Sequence, residues 1–167
     1  MPRICSFPPI SAADARILIL GSMPGEASLA AGQYYAHPRN LFWPILGEIL
    51  GQPLPALSYP ERLECLKQRG IAVWDVLHSC ERAGSLDAAI DPATLQANDF
   101  AAFFRSHPTI EKVLFNGGLA ETAFRRHVRP QLGTMPLQFQ RLPSTSPAHA
   151  ALDFTAKLER WRTALIA

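Results

Sequence analysis

Cysteine is scarce in this sequence: three occur in 167 residues, Cys5, Cys65 and Cys80, and no two form a C-x-x-C pair. So few thiols exclude a disulfide framework, and no Cys/His grouping has the spacing of a four-ligand metal or iron–sulfur site, so neither metal nor cofactor is expected. Long apolar runs are missing too. Stretches such as Ile17 to Leu20 fall far short of the roughly 20 residues that span a membrane. The opening MPRICSFPPISAADAR lacks the apolar core of a signal peptide. A soluble, cytoplasmic protein with no membrane partner is therefore expected. Charge of one sign is also lacking: 16 Lys and Arg against 14 Asp and Glu leave a formal charge of +2, which neither demands nor repels a nucleic acid. There are no internal repeats and no low-complexity tracts. What is present is 48% hydrophobic and 18% charged, well away from the composition of disorder, and the length suits one domain over residues 1–167.

Bounded apolar runs predict strands at Arg16–Gly21, Ile71–Val76 and Ile110–Asn116, and Leu137–Leu142 reads as a fourth strand. Between them lie helix signals. Asn40 caps a segment running to Leu50, with Pro44 in its first turn and Gly51 as its stop, and Ser58-Tyr-Pro-Glu61 has capping-box spacing for a helix ending at Gly70. Leu77 to Ala97 reads as a long surface connection, and Asn98 as the cap of a short helix ending before Pro108. Leu119–Val128, stopped by Pro130, and Asp153–Ile166 complete the set. Alternating strands and helices imply an α/β fold, a three-layer α/β/α sandwich on a mainly parallel four-stranded sheet. In such sheets ligands bind beyond the carboxyl ends of the strands. Those ends are Gly21-Ser-Met-Pro-Gly25, Asp75 to His78, Asn116-Gly-Gly118 and Pro143-Ser-Thr-Ser-Pro147.

The first of these segments lacks the Gly-Lys-Ser/Thr ending of a phosphate loop and does not fit the Gly-x-Ser-x-Gly turn of a serine nucleophile. Taken alone, Ser22 and Met23 belong to a tight turn. Tyr34-Tyr-Ala-His-Pro-Arg-Asn-Leu-Phe-Trp43 is richer, with stacking rings, an imidazole and an amide within ten residues. Phe42 and Trp43 there read as core residues of the following helix.

In order and spacing, Gly21-Ser-Met-Pro-Gly25, Tyr34 to Trp43, Phe115-Asn-Gly-Gly118 and Leu142-Pro-Ser-Thr-Ser-Pro147 resemble the uracil-DNA glycosylase superfamily. Within it, the best resemblance is to the hypoxanthine-DNA (deoxyinosine) glycosylase family. The resemblance implies a monofunctional glycosylase of base excision repair, with damaged DNA, duplex or single-stranded, as partner and a flipped-out base in its site; a monomer is expected. The mismatch-specific uracil and thymine glycosylases carry an asparagine in the first loop to position the attacking water, and Met23 stands there in this chain. A thioether is a poor acceptor, so the role passes, by the resemblance, to Asn40 as the catalytic residue. The resemblance also implies that Tyr35 stacks on the base, that Asn116 reads its edge, and that backbone N–H groups near Ser22 and Met23 assist. Ser144, Thr145 and Ser146 would meet the DNA.

Other readings stay open at this point. A uracil or mismatched-thymine glycosylase uses the same fold, a non-catalytic nucleic-acid binding module would also tolerate Met23, and a serine hydrolase would pair Ser22 with His37. Asp75, His78 and His149 have no assigned role, and the basic cluster Arg125, Arg126, His127 and Arg129 reads as a solvated helix end.

Overall fold

The computed structural model describes residues 2–166. The chain begins with a short strand β1 (Arg3–Cys5) and reaches β2 (Ile17–Gly21), whose Ile-Leu-Ile-Leu run is almost wholly buried. Helices α1 (Glu26–Ala31), α2 (Phe42–Leu50) and α3 (Tyr59–Gln68) follow, then strands β3 (Ile71–Asp75), β4 (Leu77–Glu81) and β5 (Gln96–Ala97). Helix α4 (Phe100–Ser106), strand β6 (Lys112–Asn116), helices α5 (Gly118–His127) and α6 (Arg129–Leu132), strand β7 (Gln138–Leu142) and helix α7 (Phe154–Ile166) complete the fold.

The central sheet has the order β3-β2-β6-β7, and every neighbouring pair is parallel. Side chains alternate across it. Leu18, Leu20, Ala72, Val113 and Phe115 pack with Phe100, Phe103 and Phe104 of α4 and Phe124 of α5. Ile19, Ile71, Val73 and Leu114 point the other way, to Phe42, Trp43, Ile45 and Leu46 of α2, Leu66 of α3 and Trp161 of α7. A period of two in the strands thus makes two cores, one on each face, which is the three-layer α/β/α arrangement.

The expected long connection from Leu77 to Ala97 is instead structured. β4 pairs antiparallel with β1 on one side and β5 on the other, a second three-stranded sheet. The reason lies in distant partners: the buried positions of β4 include the small residues Ser79 and Cys80 rather than an aliphatic run, and Arg3 Nη1 donates to Ser79 Oγ at 2.9 Å across 76 residues. Only Val76 separates β3 from β4, and the joint is held because Val76 N–H donates to the Gly21 carbonyl (2.8 Å) and Leu77 N–H to that of Ser22 (3.1 Å).

Helix ends follow local chemistry. The Ser58–Glu61 capping box forms, with Glu61 N–H donating to Ser58 Oγ at 3.3 Å and Ser58 N–H to Glu61 Oε1 at 3.1 Å. The cap of α4 is Asp99 rather than Asn98: Asp99 Oδ1 accepts from Ala102 N–H (3.0 Å), while Asn98 Nδ2 donates to the Asp75 carbonyl (2.7 Å). Pro130 stops α5 as expected and then sits in the first turn of α6, where a missing N–H does no harm.

Candidate active site

A cleft of about 910 Å³ opens at the carboxyl ends of β2, β3, β6 and β7. Of the residues singled out in the sequence, Ser22, Met23, Tyr35, His37, Asn40, Asp75, Asn116, Ser144, Thr145, Ser146 and His149 all line it. His78 does not; it is exposed on β4. Arg125, Arg126 and His127 end the ten-residue helix α5, whose amino end lies at the cleft. At 1.5 Å per residue this sets them about 10–14 Å from it along the helix.

Asn40 lies just ahead of α2. Its Oδ1 accepts from Phe42 N–H at 2.9 Å, which fixes the carboxamide and leaves the oxygen's second lone pair for a water. Tyr35 has φ of 54°, a left-handed conformation that costs a side-chain-bearing residue about 1–2 kcal/mol. Phe42 stacks on one face of its ring, with centroids 4.1 Å apart at 25°. His37 Nδ1 accepts from Arg39 N–H at 3.0 Å, which occupies the imidazole in its own turn.

Asn116 is tied down more fully than the sequence suggested. Its Oδ1 accepts from Thr145 N–H (2.9 Å) and its Nδ2 donates to Thr145 Oγ1 (3.0 Å), so the amide clamps the loop after β7. Thr145 is wholly buried. Its hydroxyl faces the interior, and the loop presents Ser144 and Ser146 outward, each accepting from a backbone N–H two residues on. At the start of α5, Gly117 adopts φ of 96°, and a Cβ there would lie 3.2 Å from that of Ser144. Glycine is what lets the two loops close on each other.

The floor of the cleft holds, beside Tyr35, groups to which the sequence assigned no role. Gly21 faces Asp75 and Tyr35 so closely that a Cβ on it would lie 2.6 Å from Asp75 Oδ1 and 3.0 Å from Tyr35 Oη. Asp75 Oδ2, Tyr35 Oη and Arg82 Nη1 are buried without a hydrogen-bond partner among the described residues. Burial, and then the charge of Asp87, pushes the Asp75 carboxyl up from 3.8 to about 7, with Arg82 opposing. Burial also raises Tyr35, as does the Asp75 charge, with the Asn116 amide pulling the other way. Asp87 was hidden in the supposed surface connection: its Oδ2 accepts from Ser22 Oγ at 2.8 Å across 65 residues, and burial raises its carboxyl too. The only local signal for it was an aspartate following a Gly-Ser turn.

With Met23 at 7% exposure, the first loop offers this floor a thioether and backbone N–H groups in place of a polar side chain. The model of the uracil DNA glycosylase superfamily matches residues 8–166. This chain belongs to the uracil DNA glycosylase superfamily. It is 42% identical over 111 residues, 66% of this chain and 69% of its relative, to a protein called hypoxanthine DNA glycosylase from Methanosarcina barkeri. A protein of the same name from Methanosarcina acetivorans is 34% identical over 143 residues, 86% of each chain. In structure, a Methanosarcina acetivorans protein assigned to the uracil DNA glycosylases and solved by NMR superposes with a TM-score of 0.83 at 30% identity, covering 98% of this chain and 97% of that one. Membership of this superfamily makes the chain a DNA glycosylase by class. No helix among the described residues is long and apolar enough to cross a membrane.

Proposed function

We propose that this superfamily member is a monofunctional glycosylase that hydrolyses the N-glycosidic bond of deoxyinosine in DNA and releases hypoxanthine. The observation that carries the reading is the Asn40 carboxamide, pinned by the Phe42 N–H at the edge of the cleft, together with Met23 where mismatch-specific uracil glycosylases have asparagine. An amide does not take a proton near neutral pH, so Asn40 aligns a water through its oxygen rather than acting as a base. Water attacks the sugar carbon, the carbon–nitrogen bond breaks with its electron pair going to the purine, and the proton shed by the water's oxygen passes through solvent to that purine, which leaves as neutral hypoxanthine. The charge arriving on the base is met by N–H donors around the cleft.

Hypoxanthine presents O6 beside N1–H. The unpartnered Tyr35 hydroxyl and Asp75 Oδ2 provide a donor and an acceptor on the floor, and Asn116, with its oxygen and one N–H engaged by Thr145, keeps one further N–H. The Tyr35 ring, backed by Phe42, is a platform for stacking. Ser144 and Ser146 contact the DNA backbone, and Thr145 holds their loop from within. The names of the two curated relatives support the choice of base; the designation of the solved relative favours uracil as the second reading.

Single-turnover release of free base from duplexes carrying inosine, uracil or xanthine tests the proposal. Hypoxanthine released fastest, with no borohydride-trapped enzyme–DNA adduct, is the expected result. Uracil released faster, a trapped adduct with inosine DNA, or binding of all three without release would each overturn it.

A further inference from the structure

The residues lining the cleft include three carboxyls, Glu26, Asp75 and Asp87, and a single arginine or lysine, Arg39. DNA carries a negative charge at every nucleotide, so within this lining the guanidinium is the one group that draws the strand in by charge. Arg39 is exposed, and its side chain makes no ion pair or hydrogen bond among the described residues. We infer that Arg39 and His37 form a clamp for one DNA phosphate beside the nucleotide that turns into the cleft. This rests on the DNA glycosylase reading above and adds a phosphodiester site to it.

The turn that carries both residues is set in the free protein. Pro38 holds its second position, where a φ of about −65° is favoured, and Asn40 N–H donates to the His37 carbonyl at 2.9 Å to close it. Ala36 N–H donates to Ser28 Oγ (3.1 Å) ahead of the turn, and Leu41 N–H donates to the Thr145 carbonyl (3.0 Å) behind it. Only one nitrogen of His37 is engaged: Nδ1 accepts from Arg39 N–H at 3.0 Å, and a ring nitrogen that accepts holds no proton. The ring hydrogen therefore sits on Nε2, which makes His37 an uncharged donor whose N–H has no partner among the described residues. His37 is half-buried in the cleft lining, within reach of a bound strand. A guanidinium fork matches the oxygens of a phosphate, and the imidazole N–H adds a further donor to the same group. Ser144 and Ser146 offer hydroxyls and no charge, so the salt-dependent part of binding inside the cleft falls to Arg39. Asn40 closes the same turn. A phosphate seated on Arg39 and His37 therefore fixes where the sugar lies relative to the Asn40 oxygen, and with it the approach of the water.

Fluorescence anisotropy on a duplex carrying a tetrahydrofuran abasic analogue reads the clamp without any base being released. Arg39→Gln should weaken binding about tenfold at roughly 0.1 M salt and lower the slope of log K against log salt by about one. Arg105→Gln makes the same charge change in the last turn of α4, which leads to the amino end of β6 and so to the edge of the sheet opposite the cleft; it leaves the slope unchanged. His37→Asn keeps an oxygen for the Arg39 N–H, and with it the turn, but has no Nε2 donor. It should weaken binding about fivefold and leave the slope as it is, since no charge is lost. Methylphosphonate placed at one flanking phosphate at a time removes the charge from the DNA side. At one position it should weaken the parent about tenfold and weaken Arg39→Gln no further. Equal slope changes in Arg39→Gln and Arg105→Gln, a methylphosphonate loss that Arg39→Gln retains at every flanking position, or parent-like binding by His37→Asn would each overturn the clamp, as would a parent that binds no duplex. A parent that binds the duplex but frees no hypoxanthine from inosine DNA would sink the choice of base alone, and the binding arms still decide the clamp.

Discussion

Asp75 is the group whose replacement has the most calculable consequence. It is 3% exposed, with Asp87, Arg82, Tyr34 and Tyr35 as its charged and titratable neighbours. Its carboxyl ionises at 3.8 when unperturbed and at about 7 in the folded chain. Below the lower value it is protonated in both states and costs the fold nothing. As pH rises between the two values, the unfolded chain gives up the proton and the folded one keeps it, so each pH unit removes about 1.4 kcal/mol of stability. Above the folded value both states are ionised and the loss levels off at roughly 4 kcal/mol, a large part of the 5–15 kcal/mol typical of a domain. Asp75→Asn removes the titration while nearly keeping the shape. Urea unfolding of parent and variant, at about pH 5 and about pH 8.5, reads this group together with its coupling to Asp87, because contributions independent of Asp75 cancel in the difference. The parent should lose about 2.5–3 kcal/mol more than the variant over that interval. Equal losses would show that Asp75 is ionised in the fold and refute the argument.

Asn40→Ala should slow base release by about 10²–10³-fold in a single-turnover assay and lower stability by about 1 kcal/mol, since in the proposed mechanism the oxygen that accepts from the Phe42 N–H also aligns the water. Gly21→Ala places a methyl 2.6 Å from Asp75 Oδ1 and should destabilise by about 1–3 kcal/mol, read as a lower urea midpoint. Tyr35→Phe deletes a buried hydroxyl without a partner, so the variant should gain about 1 kcal/mol in stability while losing base release; a loss of both would mean the hydroxyl is satisfied in the free protein.

The central sheet was legible because Ile17–Leu20, Ile71–Trp74 and Val113–Phe115 are apolar runs that only a sheet covered on both faces can bury. The second sheet was not, since Ser79 and Cys80 owe their burial to partners many residues away. The same limit acted at the site. Tyr35, Asn40, Ser22 and Met23 stood out because they lie in short motifs after a strand, whereas Asp87 becomes part of the cleft only when its loop folds back on Ser22. Asn116 was legible as a strand-end amide, but its commitment to Thr145 is a tertiary fact.

The short strand β1 has a consequence for how the molecule meets its own kind. It covers the outer edge of β4, and being only three residues long, carrying Arg3 and followed by Pro8 and Pro9, it is a poor template for a further strand. Trimming the first five residues would strip that cover and bare the backbone of β4, one residue from the joint that carries Asp75. Such a shortened chain should self-associate edge to edge, and an affinity tag is better joined to the other end.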